Sequence, residues 1–357
     1  MADTAKSKPF VSVVVPGYNE AAILEENLQA LYNYMETLQD RYDWDLIFVD
    51  DGSKDNSKEL ALTFAQTHPK LTVLRHHRNF NLGQALRYAF SHCHGDYIVT
   101  MDMDLSYSPD HIGMLLETIV ETHAKVVIAS PYMPGGKVSN VPWLRRVLSR
   151  GANWFLSLAA KGKIYTLTGM VRAYDRKFIS ALNLKAMDVE INPEIIYKAQ
   201  MLRGLIVEIP AHLNWSLQKA KTRQSSMRLA RGIAAALMSG FIFRPYMFFF
   251  IPAVLLLFIT LYIMTWIAIN TVWVYQDVTV QGRYFDDHFS AAVATVFSER
   301  PHAFFVGGIS LILCFQFISL AILSLQNKRY YEELFHLTSR MLKRQLEQEG
   351  DESGKSK

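Results

Sequence analysis

Tyr97-Ile98-Val99-Thr100-Met101-Asp102-Met103-Asp104 decides how the rest of the chain is read. Four β-prone residues run into two carboxylates spaced two apart. Side chains on an extended strand alternate faces, so Asp102 and Asp104 are expected to point the same way at its end. Two hard oxygen donors so placed suit Mg²⁺ or Mn²⁺, with coordination positions left open for phosphate oxygens. Taken alone, the same residues also suit a polar turn after a buried strand.

The chain has 357 residues, enough for a domain and an appendage. Apolar residues make up 50%, unevenly spread. A net charge of +4 gives no reason to expect a nucleic-acid partner. Cys93 and Cys314 lie far apart, with no disulfide framework and no zinc spacing, and read as free thiols. Residues 1–9 are polar and read as a flexible N-terminus without a signal peptide.

From Phe10 to about Ile209, short apolar runs alternate with helical patterns. Phe10–Val15, Leu46–Val49, Leu71–Leu74, Tyr97–Thr100 and Val126–Ile128 read as buried strands. Ala21–Leu38, Ser57–Gln66, Gly83–Ser91 and Ile112–Thr122 carry apolar residues at helical spacing. This alternation predicts an α/β fold with a mainly parallel sheet and helices on both faces. Such sheets bind ligands at the carboxyl ends of their strands.

Three loops at those ends are informative. In Pro16-Gly17-Tyr18-Asn19-Glu20, Tyr18 offers a flat face to a base, and Glu20 suits a helix start. Asp50-Asp51-Gly52-Ser53 could accept hydrogen bonds from a base or a ribose, or could simply form a turn before a helix cap. Asn79-Phe80-Asn81-Leu82-Gly83-Gln84-Ala85 leads into a helix through a glycine and could approach a diphosphate with backbone N–H groups.

The order of these segments is more specific than any one of them: Pro-x-Tyr-Asn-Glu, Asp-Asp-Gly-Ser, Asn-x-Gly-x-x-x-Ala, then Asp-x-Asp. It resembles the family-two glycosyltransferases of the GT-A fold, which bind nucleotide-sugars, over about Phe10 to Pro210. The resemblance implies that Pro16, Tyr18, Glu20, Val49 and Asp51 line a nucleoside pocket. It also implies that Asp102, Met103 and Asp104 meet the diphosphate and a metal.

Further along, Pro142-Trp143-Leu144-Arg145-Arg146-Val147-Leu148-Ser149-Arg150 follows a Pro/Gly-rich loop. Leu144, Val147 and Leu148 form an apolar helical face, and Arg145 and Ser149 lie four apart, able to grip one anion. An ordinary basic surface helix fits this spacing equally. The arrangement resembles dolichyl- and polyprenyl-phosphate sugar synthases, in which an Arg and a Ser here hold the lipid phosphate. By the same resemblance Ser106 helps the metal and Thr168-Gly169-Met170-Val171-Arg172 matches a Thr-Gly-x-x-Arg segment. Glu194 would then be the helical acidic residue at the donor, and Arg223 a residue of a flap over it. Relatives carry Ser-Arg-Tyr where this chain has Ser130-Pro131-Tyr132, so a phosphate contact is missing, and Arg150 or Arg172 is the expected substitute.

Past Ile209 the composition shifts. Ser226–Phe243 sets Leu229, Ile233 and Leu237 against Arg228 and Arg231, the pattern of a helix in a membrane interface or of one packed on the globular domain. Pro245–Gln276 has no charged residue, and Ala303–Gln326 is a second such run; each is long enough to span a bilayer. The basic flanks put both termini and the catalytic domain in the cytoplasm. The expected division is therefore a GT-A domain over 10–222, an interfacial helix over 223–244, two spans (about 246–275 and 303–326) joined by a loop over Asp277–His302 within 245–326, and a tail over 327–357. Within the tail, Tyr330–Gln348 reads as an amphipathic helix and Glu349–Lys357 as disordered.

The resulting expectation is inverting transfer of a sugar from a GDP- or UDP-sugar to a polyprenyl phosphate. The resemblance also allows a homo-oligomer. A processive polysaccharide synthase would carry Gln-x-x-Arg-Trp, whereas Gln200-Met201-Leu202-Arg203 is followed by Gly204. An inactive membrane scaffold is the remaining alternative, against which the intact acidic pair argues.

Overall fold

Strands β1 (Phe10–Gly17), β2 (Asp43–Asp50) and β3 (Leu71–Arg75) run parallel, with β1 also parallel to β4 (Tyr97–Thr100). The computed structural model describes residues 8–143, 146–147, 149–151, 153, 164–215, 245–280 and 287–355. Helices α1 (Leu24–Thr37), α2 (Ser57–Thr67) and α3 (Asn81–His92) make the crossovers between these strands. Then follow α4 (Asp110–Thr122), β5 (Val126–Ser130), β6 (Lys137–Ser139), β7 (Arg172–Asp175), α5 (Arg176–Ser180), α6 (Ile191–Met201), β8 (Ile206–Pro210) and β9 (His212–Asn214).

The main sheet has the order β3-β2-β1-β4-β7-β5-β8. Only β7 is antiparallel to its neighbours. β6 and β9 pair separately. The chain leaves β1 first toward β2 and later returns to its other side at β4, so a crevice opens beyond their carboxyl ends.

Alternation along the strands feeds two cores. Val11, Val13 and Val15 of β1 meet Leu24, Leu28, Leu31 and Met35 of α1 and Ile112, Leu115 and Ile119 of α4. Val14, Ile47, Val49 and Ile98 belong to the opposite layer, with Ala85, Leu86 and Ala89 of α3 and Ile191 and Ile195 of α6. A sheet buried on both faces explains why its strands read as continuous apolar runs.

The C-terminal part contains α7 (Pro245–Tyr275), α8 (His288–Glu299) and α9 (Pro301–Lys355). Two compact units result, Met1–Gly240 with Leu334–Lys357, and Phe241–Glu333. Tyr246–Tyr275 and Pro301–Phe335 are long and apolar enough to cross a membrane. Phe258 (66%) and Tyr262 (73%) are exposed on α7, which is unlike a core helix of a soluble protein. These two helices pack closely at Gly307, where a Cβ would come within 2.9 Å of Ile263 and Met264 side-chain atoms.

Two expectations are corrected. The stretch between the spans is not only a loop: α8 occupies part of it, capped by Asp287, whose side chain accepts from Ser290 N at 2.7 Å. Tyr330–Gln348 is helical as expected, but as the unbroken continuation of α9. Its last turns extend to Lys355, where disorder was expected. The sequence has no proline after Pro301, so nothing stops the helix sterically. The expected interfacial helix, 223–244, lies outside the described residues.

Candidate active site

The crevice holds a cavity of about 250 Å³. Pro16, Gly17, Tyr18 and Glu20 come from the end of β1, and Asp51 from the end of β2. Asn79, Asn81, Leu82 and Ala85 come from the start of α3, Asp102, Met103 and Asp104 from beyond β4, and Met170 from the segment before β7. Seven of the expected donor residues are thus brought together: Pro16, Tyr18, Glu20, Asp51, Asp102, Met103 and Asp104.

The acidic pair sits there for a different reason from the one expected. β4 ends at Thr100, and residues 102–104 lie in a turn rather than on the strand. Alternation nevertheless persists: Met101 and Met103 are buried in the core while Asp102 and Asp104 are half-buried on the cavity wall. Asn27 Nδ2 on α1 donates to Met103 O at 2.7 Å and fixes the turn from below. Leu105 then takes a left-handed conformation (φ 47°), redirecting the chain. Consequently Ser106 is buried behind the pair, its N–H donating to Asp104 Oδ1 at 3.0 Å, and it is not among the lining residues. Tyr107, next in line, is buried too, and burial raises its pKa, with the Asp102 charge adding to the shift.

Asp50 and Asp51 divide the two roles considered for them. Asp50 holds the turn, accepting from Ser53 N at 2.9 Å. Asp51 faces the cavity. Gly52 between them and Ser53 has φ +70°, and a Cβ there would lie 2.3 Å from the Arg78 carbonyl carbon. Glycine therefore lets the end of β2 close against residues 78–79.

Four site expectations are not met by the placement of the side chains. Val49 belongs to the core layer on the α3 side, because it alternates with Phe48 along β2. Glu194 is buried, accepts from Lys185 N and Ala186 N, and pairs with Lys198 Nζ at 2.6 Å. It braces the segment before α6 instead of lining the cavity. Arg172 is 0% exposed and donates to Leu167 O at 2.6 Å and Asn192 O at 2.8 Å, so it braces the Thr-Gly segment and is closed off from a lipid phosphate. Ser106 is the fourth, as described. Arg145 and Arg223 lie outside the described residues.

In the segment where the resemblance implies acceptor contacts, residues 143, 146, 147, 149–151 and 153 are helical. Tyr132 OH donates to Ser149 Oγ at 2.8 Å, and the Arg150 guanidinium lies 5.9 Å from the Tyr132 ring centre. Asn153 accepts from Leu167 N at 2.8 Å and donates to Ser149 O at 3.0 Å, tying this helix to the segment before β7. Neither Tyr132 nor Asn153 had been singled out; only their neighbours in the sequence motif pointed to them.

The described lining contains four carboxylates (Glu20, Asp51, Asp102, Asp104) and no Lys or Arg. A bare diphosphate would be repelled by such a wall. Asp102 and Asp104 are hard donors fit for Mg²⁺ or Mn²⁺, with remaining positions left to phosphate oxygens and water. Among the described residues no three His, Cys, Asp or Glu side chains converge, so the pair lacks the closed donor set of a structural zinc site.

Fold and cavity define a GT-A-type α/β domain. Comparison with known proteins agrees: the Glycosyl transferase family 2 profile matches residues 12–182. The polyprenol monophosphomannose synthase of Mycolicibacterium smegmatis is 32% identical over 210 residues, covering 56% of this chain and 75% of that protein. The dolichol-phosphate mannosyltransferase of Pyrococcus furiosus is 30% identical over 203 residues, covering 56% of this chain but only 55% of its own length. In fold, the mannosyl-3-phosphoglycerate synthase of Rubrobacter xylanophilus is similar, with a TM-score of 0.50 at 15% identity over 65% of this chain and 72% of that one. The chain belongs to glycosyl transferase family 2.

Proposed function

We propose that this protein transfers a sugar from a nucleotide-sugar to a polyprenyl phosphate at the cytoplasmic face of a membrane, with inversion at the anomeric carbon. The observation that carries this reading is the acidic cavity at the ends of β1, β2 and β4. Support comes from the two helices long enough to cross a bilayer and from the similarity to a polyprenol monophosphomannose synthase.

The base and ribose pack on Pro16 and Tyr18, with Asp51 accepting from their N–H or O–H groups. A Mg²⁺ or Mn²⁺ ion held at Asp102 and Asp104 would neutralise charge growing on the departing nucleoside diphosphate. The acceptor phosphate is ionised at neutral pH, so it is a nucleophile that needs positioning more than a general base. Ser149 and Arg150 supply hydrogen bonding and charge for it, joined by Arg145 as the family resemblance implies. One phosphate oxygen attacks the anomeric carbon as the bond to the diphosphate breaks, giving a β-linked product from an α-linked donor.

Thermal shift of the full chain with UDP, GDP and their sugars, with and without Mn²⁺, tests the donor half. One nucleotide series should raise the melting temperature in a metal-dependent way. No shift with any of them would contradict the reading.

A further inference from the structure

We propose that His76 is a positioning residue for the donor: through Asp51 it sets the acceptor that the cavity presents to a nucleoside. The inference rests on the donor reading of that cavity. His76 follows β3, is 7% exposed, and its Nδ1 lies 2.7 Å from Asp51 Oδ1. With a carboxylate as acceptor, the ring proton is on Nδ1. Phe80 N donates to the same oxygen at 3.0 Å. One oxygen of Asp51 is therefore held by two donors, which fixes the carboxylate plane and leaves Oδ2 for the cavity that Asp51 lines.

His76 Nε2 is buried with no hydrogen-bond partner among the described residues. The imidazole is enclosed by the Phe80 ring (centres 5.2 Å apart) and the Tyr88 ring (5.0 Å). If ring packing alone were needed here, phenylalanine or leucine would supply it without stranding a polar atom. A buried nitrogen left unpaired is tolerated where the opposite edge of the ring makes a charge-assisted hydrogen bond. That edge meets the one residue at the end of β2 that faces the ligand space. His76 also joins the two loops that form this wall, since its own N–H donates to Asp50 O at 2.9 Å.

His76→Asn and His76→Phe separate the two roles of the ring. Asparagine keeps an N–H donor where Nδ1 stands and loses the ring; phenylalanine keeps the ring and loses the donor. Calorimetric titration of the full chain in nanodiscs with UDP and with GDP, both with Mn²⁺, should show His76→Phe binding the preferred nucleotide about tenfold more weakly. His76→Asn should stay within about threefold of the parent. On an Asp51→Asn background, His76→Phe should add almost nothing, because the two act as one unit. The reverse order of the single variants would overturn the proposal, as would additive losses or a fall in melting temperature that tracks the loss of affinity. A parent protein that binds neither nucleotide would instead defeat the donor reading itself, and this inference with it.

Discussion

Arg172 carries a full charge into the interior and spends it on two backbone carbonyls, Leu167 O and Asn192 O. From sequence it matched a Thr-Gly-x-x-Arg motif, which says nothing about which way the guanidinium points. Replacing it with methionine strands both carbonyls, and Arg172→Met should lower stability by roughly 3 kcal/mol, read as a fall in melting temperature. Unchanged stability with a loss confined to acceptor affinity would return Arg172 to the lipid phosphate. Cys93 makes a contrasting case. Burial, with the Asp45 charge adding to it, pushes its thiol up to about 12. An unfolded thiol titrates near 8.5, so any stabilisation from the buried neutral form is complete below about pH 8.5 and declines as pH rises toward the folded value. In a Cys314→Ser background, iodoacetamide at pH 8.5 should label the denatured chain and leave the folded one unreacted; rapid labelling of folded protein would contradict this. Asp104 and Asp51 were legible as cavity residues from the order of four segments along the chain, since each segment alone also suits a polar turn. His76 was not legible, because nothing in the basic run Arg75-His76-His77-Arg78 marks one of its residues over the others.

Helix α3 shows how an element aims side chains at the cavity. Leu82 and Ala85 line the cavity, while Gly83 presses on residues 186–188: a Cβ there would meet Ala186 O and the Met187 carbonyl carbon, each at 2.6 Å. That segment is itself held by Glu194. Gly83→Ala should therefore shift α3, costing about 1–3 kcal/mol and weakening nucleotide binding together. Parent-like melting and affinity would show that the segment yields freely. The first five strands were legible from their apolar runs, within a few residues at their ends. β7 was not: Arg172-Ala173-Tyr174-Asp175 is four residues with a charge at each end, and only its insertion between β4 and β5 makes it a strand. β6 and β9 are three residues each, too short to show a period. α8 carries a readable cap at Asp287, inside a stretch that reads as a loop because it connects two apolar runs.

Two apolar helices follow the globular domain, and their exposed Phe258, Tyr262, Phe305 and Ile312 have no cover among the described residues that water would tolerate. After alkaline carbonate washing of membranes the full chain should remain in the pellet; release into the supernatant would remove the bilayer from the account. Hydropathy made these spans plain, whereas the continuity of α9 into the tail was hidden by a change of composition that marks an environment and not a helix end.

The most direct measurement joins the acidic turn to the membrane. Purified full-length protein in nanodiscs is given a polyprenyl phosphate, Mn²⁺ and the nucleotide-sugar named by thermal shift, and the organic phase is examined for a single lipid-linked sugar. The account predicts such a product, β-linked, from the parent protein, and none from an Asp104→Ala variant that still melts cooperatively. A variant as active as the parent, or a parent that makes polymer or no lipid-linked sugar, would contradict it.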